Sequence, residues 1–364
     1  MPNTDSLINL FFDLVKISSQ TGKEEKLSRF CFDFLNQQKI KAQKYYNNNI
    51  FVPAKAWNPI MLNAHLDTVG PAENIEPAEK NGRLFSKGKS ILGADNKATL
   101  AVILWLLKNL KQQKSKVLDK LEITFTVAEE SDNIGAKELN YKKIKSRFVI
   151  LADSIMPLGA IVKAAPYYYR IEGKICGKPA HACRPQKGIN VLPAFAQFIQ
   201  KADPGRNKGR TLNIGLIEGG SAVNTVPGFL SFKGELRGFN EKFVKKEVSK
   251  LKNLAENLKQ VFGLKKFEIN FILENKGYKI KEQNEIVEDI KKCIKLNQIE
   301  PQIVKNWACS DANIFAQKGL TPINIGDGVF NAHTQDEYIE VKDLEKLYEI
   351  FKSFVLKIDQ KKMT

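Results

Sequence analysis

The sequence predicts an α/β protein with a ferredoxin-like α+β unit inserted into it. Three observations carry that prediction. Apolar, strand-like runs alternate with amphipathic helical patterns toward both ends of the chain. Between residues 165 and 277 the order changes to βαββαβ. A chain of 364 residues, 43% hydrophobic and 27% charged, is also long enough to bury two cores. The boundaries that follow are 1–164 plus 278–364 for a discontinuous larger domain and 165–277 for the insertion.

Leu7, Ile8, Leu10, Phe11, Leu14 and Val15 recur at helical spacing with Asp5 and Asp13 between them. Residues 5–19 therefore read as an amphipathic helix and not as a secretory signal. A second helix is expected at 23–38, then strands at 40–54 and 59–64. Residues 98–107 form the longest apolar run, far short of the roughly 20 residues that span a bilayer, and read as a buried helix reaching 110. Leu-Glu-Ile-Thr-Phe-Thr-Val-Ala (121–128) and residues 148–152 read as buried strands. The insertion then supplies strand 168–176, helix 189–201, strands 212–217 and 229–236, helix 241–262 and strand 267–273. Helices at 283–296 and 340–357 and a short strand at 322–325 return to the first pattern.

Composition excludes several classes. Cys31, Cys176, Cys183, Cys293 and Cys309 are scattered, odd in number and form no C-x-x-C pair, which argues against a disulfide framework and a cysteine zinc site. A reducing cytoplasm is the expected compartment. The net charge of +17 would suit a nucleic-acid partner. Its lysines, however, are interleaved with glutamates along helices such as 241–260 and 282–295, with no basic block spaced by aromatics. Neither nucleic acid nor membrane is expected as a partner.

The chain has only three histidines, His65, His181 and His333, each in a cluster with carboxylates or turn residues. His65 and Asp67 stand two apart after an apolar strand, so both side chains point to one side, and the carboxylate can orient the imidazole of a metal ligand. Alone, His65 also reads as a hydrogen-bonded strand-end histidine. Asp95 precedes a helix and alone reads as an N-cap, but its two oxygens could also bridge two cations. Glu129 and Glu130 end a strand as adjacent carboxylates, which repel unless a cation or proton separates their roles. Glu130 would ligate metal and Glu129 would shuttle a proton. Otherwise the two open a polar loop. Asp153 ends another strand and alone reads as a turn residue. Together His65, Asp95, Glu130, Asp153 and His333 form an N/O donor set suited to zinc, cobalt or manganese. Three carboxylates would hardly converge in a cleft without cations.

The strings Ala-His-Leu-Asp-Thr-Val (64–69), Leu-Gly-Ala-Asp-Asn-Lys-Ala (92–98), Phe-Thr-Val-Ala-Glu-Glu (125–130), Gly-Lys-Pro-Ala-His-Ala (177–182) and Asn-Ala-His-Thr-Gln-Asp-Glu-Tyr (331–338) carry a resemblance. The chain resembles the co-catalytic zinc exopeptidase family that includes tripeptidase T, carboxypeptidase G and the aminoacylases, most closely its tripeptidase T-like branch. The resemblance implies a phosphorylase/hydrolase-like zinc peptidase catalytic domain, with the insertion as lid and dimerisation domain of a homodimer. It implies two Zn2+ per subunit, or Co2+ or Mn2+ in their place. Asp95 would bridge them, His65 and Asp153 would hold one, and Glu130 and His333 the other. Glu129 matches the general base, Asp67 the carboxylate that orients His65, and His181 a lid histidine that steadies the oxyanion. Asn224 and Arg237 match positions that bind the substrate carboxylate. Without the resemblance, His181 reads as a surface histidine and Arg237 as a salt-bridge residue. A cis peptide between Asp95 and Asn96 is implied as well.

The activity implied is hydrolysis of the N-terminal amide bond of short peptides, by a water that two zinc ions activate and Glu129 deprotonates. Within the family a carboxypeptidase, a dipeptidase or an N-acyl amino acid deacylase stays open, and outside it a metal-retaining binding protein without catalysis. The chain departs from the pattern at Asn96, where a second aspartate is common, at Cys183, and at Ala308-Cys309 in place of two glycines, losses expected to narrow a loop near the substrate. It also carries a longer link, Ser131 to Gly135, after the two glutamates.

Overall fold

A computed structural model describes residues 6–207 and 209–360. The chain divides into two compact units, one of residues up to Ala164 and from Lys279, the other Ala165–Tyr278. Among the described residues no helix is long and apolar enough to cross a membrane.

The first unit opens with helix Leu7–Lys16, whose N-cap Ser6 accepts a hydrogen bond from the Asn9 N–H and which buries Leu10, Phe11, Leu14 and Val15. Asp5, placed in this helix by the sequence, lies outside the described residues. Helix Glu25–Gln37 follows. The strand expected at 40–54 is instead a hairpin, Gln43–Tyr45 against Asn49–Val52. Asn47 and Asn48 turn it at φ 44° and 78°, a left-handed geometry that asparagine tolerates better than most residues.

Four parallel strands make the middle of the main sheet, in the order Leu121–Thr126, Ile60–His65, Phe148–Ala152 and Thr321–Ile325. Ile60–His65 and Leu121–Thr126 are buried throughout, as parallel strands covered on both faces must be. The long apolar run lies in helix Ala94–Gln112, buried along most of its length. Ala160–Ala165, which the sequence reading left unassigned, joins the sheet beside Thr321–Ile325 and also pairs with Gln302–Lys305.

A second sheet was not anticipated. Glu76–Lys80 and Arg83–Lys87 form a hairpin, and Tyr338–Glu340 and Val329–Phe330 extend it. Its strands carry no clean apolar alternation. The usable signal was Asn81-Gly82, at φ 53° and 74°, the dipeptide that favours a tight hairpin turn.

In the second unit five antiparallel strands run in the order Gly205–Asn207, Arg210–Gly219, Phe229–Gly238, Tyr167–Cys176, Lys266–Asn275. The four long ones, with helices Leu192–Ala202 and Glu241–Val261, give the ferredoxin-like order. The first helix starts three residues later than expected because Ile189 pairs with Lys178 and the Asn190 side chain accepts from the Leu192 N–H. Phe195, Phe198, Phe232 and Phe267 pack in one core with ring centroids 5.2–6.5 Å apart. Gly173 makes room for them, since a Cβ there would stand 2.0 Å from the Phe232 ring. Gly173→Ala is therefore expected to destabilise this unit by about 1–3 kcal/mol, read as a lower denaturant midpoint.

Candidate metal centre

The parallel strands end on one edge of the sheet, where open α/β sheets gather their ligands. His65 is the last residue of its strand, Glu129 and Glu130 follow Leu121–Thr126, and Asp153 follows Phe148–Ala152. Asp95 comes from the start of the buried helix and His333 from the loop before Tyr338–Glu340.

His65 is buried, and its Nδ1 lies 3.0 Å from the main-chain carbonyl of Asp67. A carbonyl only accepts, so Nδ1 carries a proton. Nε2 faces Asp95 Oδ1 at 3.3 Å and Asp153 Oδ1 at 3.8 Å. On the other side, His333 Nε2 lies 2.8 Å from Glu130 Oε1 and 3.3 Å from Asp95 Oδ2. Asp95 thus turns one oxygen to each histidine. Three overlapping groups, His65–Asp95–Asp153, Asp95–Glu130–His333 and His65–Glu129–Glu130, each bring their donor atoms within 4.8 Å of one another.

The electrostatics fit divalent cations. Burial, then the nearby Asp153 charge, pushes the Glu129 carboxyl well above its ordinary range. Asp153 is likewise raised by burial and by Asp95. Hydrogen bonds to Asp95 and Glu130 raise His333 to about 10. Acids driven toward their neutral form by burial and one another are a site short of positive charge, and a pair of divalent ions would supply it. The donors are imidazole nitrogens and carboxylate oxygens, the set that zinc, cobalt and manganese accept.

Asp67 does more than face an imidazole. Its carboxylate is 3.4 Å from His65 Nδ1, farther than its own carbonyl. Its oxygens accept from the Glu129 N–H at 2.9 Å, the Glu130 N–H at 3.1 Å and the Thr21 hydroxyl at 2.9 Å. Burial pushes the Asp67 carboxyl up, but the His65 hydrogen bond and charge and these N–H donors outweigh it and hold it below its ordinary value. Asp67→Ala is expected to cost about 1–3 kcal/mol for each buried N–H left bare, measurable by urea unfolding.

Several supporting residues had no role in the sequence reading. Glu337, buried, accepts from the Gly93 N–H at 2.7 Å and the Asp95 N–H at 3.1 Å and so fixes the turn that carries Asp95. Its neighbour His333 was the signal that could have drawn notice to it. Asn324 holds Asp153 by both backbone groups, at 3.0 and 2.7 Å. The Asp95–Asn96 peptide is cis. Asn96 donates to the Ala152 carbonyl at 2.6 Å, a bond an ionised aspartate could not make. The link from Ser131 to Gly135 is a compact turn in which the Asn133 N–H reaches the Glu129 carbonyl and the Gly135 N–H the Val127 carbonyl.

The remaining candidates lie in the second unit. His181 is exposed on the two-residue strand Ala180–His181, which pairs with Thr225–Val226. Its Nδ1 accepts from the Cys183 N–H at 3.2 Å, which leaves the ring proton on Nε2. The Asn224 carbonyl accepts from the Ala182 N–H at 2.8 Å. Arg237 is engaged by both carboxylate oxygens of Glu235, at 3.1 and 2.9 Å, and its guanidinium lies 4.6 Å from the Tyr168 ring centroid.

Comparison with known proteins places this arrangement. Residues 61–357 match the family model described as peptidase family M20/M25/M40. A Bacillus subtilis protein named uncharacterized protein YqjE is 30% identical, over 96% of this chain and 97% of its own length. Among solved structures, the aminopeptidase PepT from Bacillus cereus is 28% identical with a TM-score of 0.89, covering 98% of this chain and 99% of that one. A tripeptidase from Staphylococcus aureus, also 28% identical, reaches a TM-score of 0.93 over 99% of this chain and 100% of that one. Both likenesses hold over both units, as the α/β body with an inserted α+β unit requires. This chain belongs to peptidase family M20/M25/M40.

Proposed function

We propose that this metallopeptidase removes the N-terminal residue from short peptides with free ends, tripeptides foremost. The observation that carries the reading is the Asp95 carboxylate, one oxygen toward His65 and the other toward His333. His65, Asp153 and Asp95 would hold one zinc ion, and Asp95, Glu130 and His333 the second. When bound, such a pair supplies Lewis-acid polarisation of the scissile carbonyl and a water acidic enough to ionise near neutrality.

The chain's own residues do the rest. Glu129, buried beside the cluster, takes a proton from the attacking water and gives it to the departing amine. Asp67 holds both the His65 loop and the Glu129–Glu130 backbone in place. The Nε2–H of His181 is the donor for the developing oxyanion, and Asn224 and Arg237 receive the substrate carboxylate once Glu235 yields the guanidinium. The inserted unit joins two copies in a homodimer, and the enzyme works in the cytoplasm. Similarity to proteins titled aminopeptidase PepT and tripeptidase supports the substrate class. A succinyl-diaminopimelate desuccinylase of Nautilia profundicola, 25% identical over 96% of this chain, favours a deacylase as the second reading.

The test is hydrolysis of free dipeptides, free tripeptides, N-blocked or C-blocked tripeptides and N-acylated amino acids by zinc- or cobalt-loaded protein, with chelated protein alongside. Release of the N-terminal residue from free tripeptides alone is expected. Turnover confined to N-acylated amino acids, or release from the C-terminus, would overturn the aminopeptidase reading in favour of its relatives.

A further inference from the structure

Glu129 is held by a side chain that the resemblance does not single out. Asn133 Nδ2 lies 2.7 Å from Glu129 Oε1 and 3.2 Å from Asp311 Oδ1. A carboxamide nitrogen carries two hydrogens in one plane, and each is committed to a different carboxylate. Asp311 is fixed in its turn, because its other oxygen accepts from the Thr126 hydroxyl at 2.6 Å. Thr126 ends the strand that leads into Glu129. Glu129, Asn133, Asp311 and Thr126 therefore close a loop of hydrogen bonds that begins and ends on the same stretch of chain, all of it buried.

We propose that Asn133 is a positioning residue for proton transfer, setting the direction of the Glu129 carboxylate from the anchor of Asp311. This rests on the reading of Glu129 as the base. Position 133 asks for two things at once. Its backbone is left-handed, at φ 55° and ψ 40°, which glycine and asparagine adopt most readily. Its side chain must donate to two carboxylates, which glycine does not do and aspartate would reverse by adding a third negative group. Asparagine alone among the common left-handed residues meets both demands. The longer link after the two glutamates is the segment that delivers this amide, and its return path depends on Gly135. A Cβ on Gly135 would stand 2.3 Å from the Val127 carbonyl oxygen.

Asn133→Gly preserves the backbone and removes the brace. With zinc-loaded enzyme and a free tripeptide, kcat is expected to fall roughly 10- to 100-fold, the scale on which small misplacements act, with KM and zinc content unchanged. In a Glu129→Gln background the same substitution is expected to change the remaining rate by under about twofold, since coupled residues do not add. Asp132→Gly, which loosens the same turn without touching either carboxylate, is the control and keeps wild-type kcat. An equal loss in both backgrounds, a loss explained by zinc content, or the same loss in Asp132→Gly would overturn the proposal.

A measurement without substrate separates this inference from the function it rests on. The Asn133 side-chain amide signals, assigned by their disappearance in Asn133→Gly, are expected to exchange slowly and to move in both Glu129→Gln and Asp311→Asn. Exchange as fast as that of exposed asparagines would remove the brace whatever the enzyme cleaves. Slow exchange with no peptidase activity in the wild type would sink the functional reading and leave the brace standing.

Discussion

Glu129→Gln is expected to lower kcat by roughly two to four orders of magnitude, the usual worth of a positioned general base, while zinc content stays at the wild-type level. The substitution is nearly isosteric, and Glu129 lies outside the two groups built around Asp95, so the proposed ligands His65, Asp95, Asp153, Glu130 and His333 are expected to keep their geometry. The Asn133 amide presents an N–H to Glu129, and an amide oxygen at position 129 can still accept it. What disappears is the ability to take up a proton in a place where burial and Asp153 already favour the protonated carboxyl. Steady-state kinetics together with metal analysis on the same samples decide the matter. A tenfold drop or less would remove Glu129 from the base role, and a large drop accompanied by metal loss would make it a ligand.

Asp95→Ala carries the second large effect. Both histidines face this one carboxylate, so its removal takes an oxygen from each metal group at once. Activity is expected to vanish, and zinc is expected to lose most of its effect on melting temperature. For the wild type, metal at about a thousandfold excess over its dissociation constant adds about 4 kcal/mol for each independent site. That gain should appear as a melting shift reversed by chelator. Asp153→Ala is the comparison, because it strips an oxygen from the His65 side alone and should leave part of the zinc-dependent shift. If Asp95→Ala retained two ions with wild-type affinity, the shared-carboxylate centre would be wrong.

The parallel strands were legible because burial on both faces leaves near-continuous apolar runs, and the acids that end them stand out against such a background. His65, Glu130 and Asp153 could be read for that reason. Asp95 and His333 were legible only as members of the whole donor set, since a helix-start aspartate and a turn histidine are commonplace alone. Glu337, Asn324, Asn133 and Asp311 stayed hidden for a different reason. Each acts through backbone groups or another side chain distant in sequence, and no local period records a bond between residues 133 and 311. The small sheet of Glu76–Lys80, Arg83–Lys87, Val329–Phe330 and Tyr338–Glu340 was missed because its strands have no repeating apolar face, and only the Asn-Gly turn announced it. Arg237 shows the opposite case: Glu235 stands two residues away on the same strand and the same face, so its bond to the guanidinium was legible from local sequence.

That small sheet also sets the order in which the cluster can be completed. His333 and Glu337 stand on the segment that leads into Tyr338–Glu340, and this strand pairs with Arg83–Lys87, some two hundred and fifty residues earlier. Three of the parallel strands, with His65, Asp95, Glu130 and Asp153, are synthesised long before Thr321–Ile325 and His333. Until then the cluster has His65 without His333, and the Asp95 turn lacks the Glu337 clamp. The cluster is therefore closed by a contact between segments far apart in the chain, and it stays incomplete until residues 333–340 have docked.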